Sequence, residues 1–178
     1  MVSQESDILL TTKTMNNSGS ILAGDKANII TDSLINDNGV IQSKNALSLE
    51  ANSGSISNIK GNILSKDKTV DILTSDKLDN SEGNIVSAST LNINANADLI
   101  NTKGLIQSAD KMDIKAKDIK ALDASSVVSS KDSLDIQSSN IDNQGFIGSS
   151  KAGKFNVANS VRNSGEMVSQ DKLSIFTK

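Results

Sequence analysis

The chain has 178 residues with 18 Lys+Arg against 21 Asp+Glu, a net charge of −3, and neither Cys, His, Trp, Tyr nor Pro. That length suits one ordinary domain or one array of repeats. The missing residue types exclude Ser–His and Cys–His nucleophilic systems, disulfide scaffolds and ordinary zinc sites. A single Arg, Arg162, and 2% aromatic residues argue against a nucleic-acid surface, which wants Arg forks and stacking rings. They argue equally against an anionic membrane surface.

The first segment, Met1 to Thr14, carries neither a basic n-region nor a long apolar h-region. No apolar run approaches the ~20 residues of a membrane span. A different signal begins at Met15. The stretch LINDNGVIQS at Leu34 to Ser43 returns as LINTKGLIQS at Leu99 to Ser108. It returns more loosely as LDNSEGNIVS at Leu78 to Ser87 and IDNQGFIGS at Ile141 to Ser149. Anchoring on glycine gives Gly19, Gly39, Gly61, Gly83, Gly104, Gly145 and Gly165, with Ser126 in the remaining place. The intervals run from 19 to 22 residues, as loop variation on a repeat would produce.

Within each repeat the elements fall in a fixed order. An aliphatic residue comes first, with an Asn two later, just before the glycine. This places Asn17, Asn36, Asn58, Asn80, Asn101, Asn143 and Asn163 in one predicted column, with Asp123 in the eighth place. Two residues after the anchor stand Ile21, Ile41, Ile63, Ile85, Ile106, Val128, Ile147 and Met167. Two further on stand Ala23, Ser43, Ser65, Ser87, Ser108, Ser130, Ser149 and Ser169. A spacing of two puts both sets on one strand face. A third alternating segment follows, exemplified by Leu47 and Leu49, Leu91 and Ile93, Met112 and Ile114.

Three short period-2 segments per repeat cannot bury an apolar face alone, whereas stacked neighbours can. The predicted fold is therefore all-β: a right-handed parallel β-helix with three short strands per rung of about 21 residues and about eight rungs. Like stacks on like, with the aliphatic and the Ser inward. The glycine is expected to supply a positive φ or a tight corner. The Asn amides can bond along the axis as a ladder, or satisfy turn backbone groups. An ionised Asp123 cannot donate and should weaken such a ladder locally.

The run "aliphatic-x-Asn-x-x-Gly-x-Ile-x-Ser, then Leu-x-Ile-x-Ala" resembles the haemagglutinin repeats of filamentous haemagglutinin-type exoproteins. It is carried by LINDNGVIQSKNALSLEA, LDNSEGNIVSASTLNINA and LINTKGLIQSADKMDIKA. The resemblance covers about Met15 to Lys178, with a half-rung before it. It implies two-partner secretion through an outer-membrane transporter that recognises a domain not present in this chain. It also implies a place on the Gram-negative cell surface, as the shaft of an adhesin, a haemolysin or a contact-dependent growth inhibition protein. A chain that crosses a pore unfolded is suited by the absence of Cys.

The start MVSQESDILL echoes MVSQDKLSI at Met167 to Ile175, so residues 1–178 read as one segment of a longer array with raw strand edges. End-to-end self-association and a cell-surface receptor are the further partners left open. Neither a cofactor nor a metal is expected. Asp110, Asp113, Asp118 and Asp123 lie close in sequence, interleaved with Lys111, Lys115, Lys117 and Lys120. A carboxylate pair for glycoside cleavage is one reading, and a charge-balanced solvated face is the better one. Rungs of 19 to 22 residues leave no room for the long loops of a cleft. The leading functional expectation is a rigid shaft. The alternative is a binding module whose outer faces contact a surface receptor.

Overall fold

The computed structural model describes residues 1–177. Among these every element is a β-strand and every strand pairing is parallel. The strands coil into a solenoid that contributes to two sheets. One sheet holds nine strands, from Val2–Ser3 through Ser20–Ala23, Val40–Ser43, Asn62–Ser65, Asn84–Ser87, Leu105–Ser108, Val127–Ser130 and Phe146–Ser149 to Glu166–Ser169. The half-rung at the start is thus a ninth coil rather than a lead-in to eight. Eight strand spacings give a stack of about 38 Å.

The register in this sheet is like on like. Ile41 pairs with Ile63, Ile63 with Ile85, Ile85 with Ile106, Ile106 with Val128, and Val128 with Ile147. Ile41, Ile63, Ile85, Ile106, Val128 and Ile147 are all fully buried. Each such side chain removed from water contributes about 1.5–3 kcal/mol. β-Branched residues suit this pleated, filled interior, where one χ1 rotamer repeats from coil to coil. At the ends of the column Ile21 is 5% exposed and Met167 is half-buried against the core.

The second sheet carries the other two segments of each repeat. Four rungs keep them as separate strands, such as Leu47–Ala51 followed by Ile56–Ser57, or Leu91–Ala95 followed by Leu99–Ile100. In four others they run together, as Ile8–Asn16, Ala27–Ile35, Leu134–Asn143 and Ala152–Asn163. This corrects the expectation of three strands in every rung. In those rungs the backbone stays extended through the corner, so pairing continues, with a register shift between Ser138 and Asn140. Leu47, Leu49, Val70, Ile72, Leu91, Ile93, Leu134 and Ile136 fill the interior from this side. Phe155, in register with Ile136, is the one fully buried aromatic.

Outward polar residues also bond along the axis. Asn92 Nδ2 donates to Asp71 Oδ1 at 2.6 Å, Asn84 Nδ2 to Asn62 Oδ1 at 2.9 Å, and Asn140 Nδ2 to Asp118 Oδ1 at 2.6 Å. Each links residues 21 or 22 apart in sequence, so the coat ties neighbouring coils as the core does.

Candidate functional site

The most regular feature is the corner between the aliphatic-x-Asn segment and the Ile-x-Ser strand that follows it. Asn36, Asn58, Asn80 and Asn101 each begin a β-turn whose carbonyl accepts from the glycine three residues on. In this turn the residue before the glycine takes the left-handed conformation: Asn38 at φ 58°, Lys60 at 56°, Glu82 at 56° and Lys103 at 57°. No glycine has positive φ. The conformational role expected of the glycine is therefore filled by its neighbour.

The glycine is required for space. A Cβ on Gly39, Gly61, Gly83 or Gly104 would overlap the carbonyl oxygen of the Asn one coil earlier and crowd the Oδ1 of its own coil's Asn. At Gly83 that Cβ would lie 2.7 Å from Asn80 Oδ1 and 2.9 Å from Asn58 Nδ2. The glycine makes room for the amide stack.

The amides form a continuous chain over five coils. Asn17 Nδ2 donates to Asn36 Oδ1 at 2.7 Å, Asn36 to Asn58 at 2.7 Å, Asn58 to Asn80 at 2.7 Å and Asn80 to Asn101 at 2.8 Å. The same Nδ2 groups reach backbone carbonyls, as Asn58 does to Gly61 at 3.2 Å and Asn84 at 3.2 Å. Both roles open from the sequence, axial ladder and turn satisfaction, are filled by one side chain. Asn36, Asn58, Asn80, Asn101 and Asn143 are fully buried; Asn17 is nearly so and Asn163 is exposed.

Asp123 does not stand in this column. Leu99 pairs with Ile119 and Ile119 with Ile141, which aligns Asn101, Ala121 and Asn143. Ala121 is fully buried in the amide position. The turn from Ala121 to Val127 is two residues longer than that from Asn101 to Leu105, so counting back from Ser126 misses the register. Asp123 lies in the extra loop, where its Oδ1 accepts from the Ser125 hydroxyl at 2.7 Å and backbone N–H at 2.9 Å. These bonds hold its carboxyl below the usual carboxylate range. Ser126 Oγ accepts from the Lys103 N–H at 2.9 Å, replacing the next turn's carbonyl that serves Lys60 and Glu82. The ladder resumes with Asn143 donating to Asn163 at 2.7 Å.

The inward serines close the opposite corner. Ser87 Oγ donates to Thr90 O and Lys68 O, both at 2.8 Å, and Ser130 Oγ to Ser133 O at 2.9 Å and Asp110 O at 2.8 Å. A hydroxyl fits there because the coil is narrow and turn carbonyls from two coils point at it.

The acidic and basic residues near 110–123 disperse over different faces. Asp110 accepts from Ser89, Asp113 pairs with Lys111 at 2.9 Å, Asp118 accepts from Asn140, and Lys120 bonds Asp98 at 2.5 Å. The hydrogen bond that Lys111 donates to Asp113, and that Lys120 donates to Asp98, raises each above the usual lysine range. Among the described residues no three Asp or Glu side chains converge as metal ligands would. Arg162 is exposed beside Asp142. A groove of about 480 Å³ runs along the bend of the later coils, with Lys115, Lys117, Gln137, Asn156 and Phe176 among its lining.

Stacked coils, an in-register aliphatic core and a repeated Asn–Gly corner define a β-solenoid of haemagglutinin repeats. The model of the haemagglutinin repeat family matches residues 4–82, 73–121 and 118–175, and the chain belongs to that family. No curated protein and no solved structure matches it. Haemagglutinin repeat proteins are secreted surface proteins of Gram-negative bacteria, and the solenoid fits a length of filamentous shaft.

Proposed function

We propose that this chain is a passive shaft segment of a secreted exoprotein of adhesin or contact-dependent inhibition type. It holds a distal functional domain away from the cell and does no chemistry of its own. The carrying observation is the like-on-like register of the first sheet, coil after coil, locked by the amide chain. Each coil adds one strand spacing, and bonds in core, corner and coat resist bending. Residues 1–178 act as one segment in this reading. Export runs through an outer-membrane transporter of the two-partner type, engaged by a domain elsewhere. The Asn and aliphatic columns are its functional residues, as the scaffold that sets length.

One observation favours a second reading, in which the outer surface binds a receptor. The groove along the bend brings together Lys115 and Lys117, neither of them in an ion pair among the described residues, with Gln137, Asn156 and exposed Phe176. Purified protein applied to bacterial and epithelial cells separates the two. The shaft reading expects no saturable binding. Saturable binding lost in Lys115→Ala/Lys117→Ala overturns it in favour of the groove.

A further inference from the structure

The coil that carries Ala121 keeps the in-register core but departs from its neighbours at its corner, where several differences coincide. In the corner, Asn101 Nδ2 bonds Gly104 O at 3.0 Å and Val127 O at 2.9 Å but has no amide above it. Asn143 Oδ1 accepts from the Gly145 N–H of its own turn at 3.1 Å, not from the coil below. The amide chain of five coils thus ends at Asn101, and only a two-coil piece follows.

The turn stack ends at the same place. The left-handed residues Asn38, Lys60, Glu82 and Lys103 mark four consecutive coils, and among the described residues no later coil has one. The loop Leu122 to Ser125 replaces that turn, with Leu122 exposed. The bend corner loosens nearby, with the register shift at Ser138/Asn140 and the groove over Ala116 and Ser138.

Hydrogen-bond satisfaction gives an independent signal. Among the described residues four buried side-chain oxygens lack any partner: Asn94 Oδ1, Asp135 Oδ1, Ser138 Oγ and Asp142 Oδ1. All lie in the coils around Ala121. A buried polar atom left unpaired weakens its surroundings out of proportion to its size. In a stacked array, stability is close to a sum of coil terms and nearest-neighbour interface terms. One weak interface then divides the array.

We infer that the Ala121 coil is a built-in joint at which the shaft separates into two cooperative blocks. The N-terminal block runs to about residue 110 and carries the continuous amide chain. The C-terminal block begins near residue 131 and opens as a unit while the first stays folded. The joint gives an otherwise uniform rod a defined place to yield under tension or partial denaturation, and the loop Leu122 to Ser125 is its exposed marker.

The test is hydrogen exchange of the whole chain across a urea series, read by mass spectrometry on peptides from each coil. Residues 131–177 lose protection as a group at lower urea than residues 34–108, with about tenfold lower protection just past the joint. Replacing residues 121–127 by the regular turn sequence of residues 101–105 removes the step. Should that graft fail to fold, Asn80→Ala serves instead, since it opens a second gap in the amide chain two coils earlier and adds a second step there. Protection that falls smoothly from the centre to both ends, or an Asn80→Ala protein with no added step near residue 80, overturns the inference.

Discussion

Asn58 Nδ2 lies 2.7 Å from Asn80 Oδ1, joining two side chains 22 residues apart in a fully buried column. The bond ties coil to coil and at the same time satisfies the turn between them. Asn58→Ala leaves Asn36 Nδ2 and Asn80 Oδ1 without this partner and should cost about 1–3 kcal/mol. Urea denaturation of the two proteins measures it.

Asn58→Asp carries a sign that Ala does not. Its carboxylate still accepts from Asn36 but faces Asn80 Oδ1 with no proton to donate. Burial and this repulsion raise its pKa in the folded state, so the native protein binds the proton more tightly than the unfolded chain. Stability then falls as pH rises through the raised value and recovers toward acid. The expected result is a gap between Asn58→Asp and Asn58→Ala that narrows from pH 7 to pH 4, followed by denaturation midpoints.

Gly83 and Glu82 invert the usual expectation for adjacent residues. Gly83→Ala places a methyl on the Asn58 carbonyl oxygen and should be strongly destabilising. Glu82→Gly relieves a side chain held at φ 56° and should be neutral or stabilising by up to about 1 kcal/mol. Opposite shifts in thermal midpoint would establish that the glycine serves space and its neighbour serves conformation.

Ile106 and Lys111 mark the two extremes of sensitivity. Ile106 is fully buried between Ile85 and Val128, so Ile106→Asp buries an unpaired charge and should unfold the coils around it. Lys111 pairs with Asp113 on an open face, and Lys111→Ala should change stability by less than about 0.5 kcal/mol. Circular dichroism melts separate these outcomes.

Asp123 offers a local pH probe. Its carboxyl is depressed by the Ser125 hydroxyl and N–H, so its contribution is present above the unfolded value and lost as pH falls through the folded one. Carboxyl titration by NMR should place it below ordinary Asp, and Ser125→Ala should return it part of the way.

The strand layout was readable because period-2 alternation survives wherever one face is buried, and Ile41, Ile63, Ile85 and Ile106 show it without interruption. The sixth corner, at Ser126, is misread because a glycine anchor assumes a constant turn length. Ile119-Lys120-Ala121 carries the aliphatic-x-small pattern and would have given the register had strands been aligned instead of turns. The left-handed residues were hidden because Asn, Lys and Glu share no composition; only the geometry of a turn closed by glycine imposes the conformation. Merged strands are hidden because Ser138-Ser139-Asn140 reads as a turn signal, although the strand runs on through it.

The central claim is that each coil adds one fixed increment of length to a straight stack. Deleting residues 40–83 removes two coils and joins Gly39 to Asn84, which stands at the position equivalent to Val40. Small-angle scattering should then show a maximum dimension shorter by about 10 Å at unchanged cross-section. A particle that keeps its length, or that thickens as it shortens, would contradict the account.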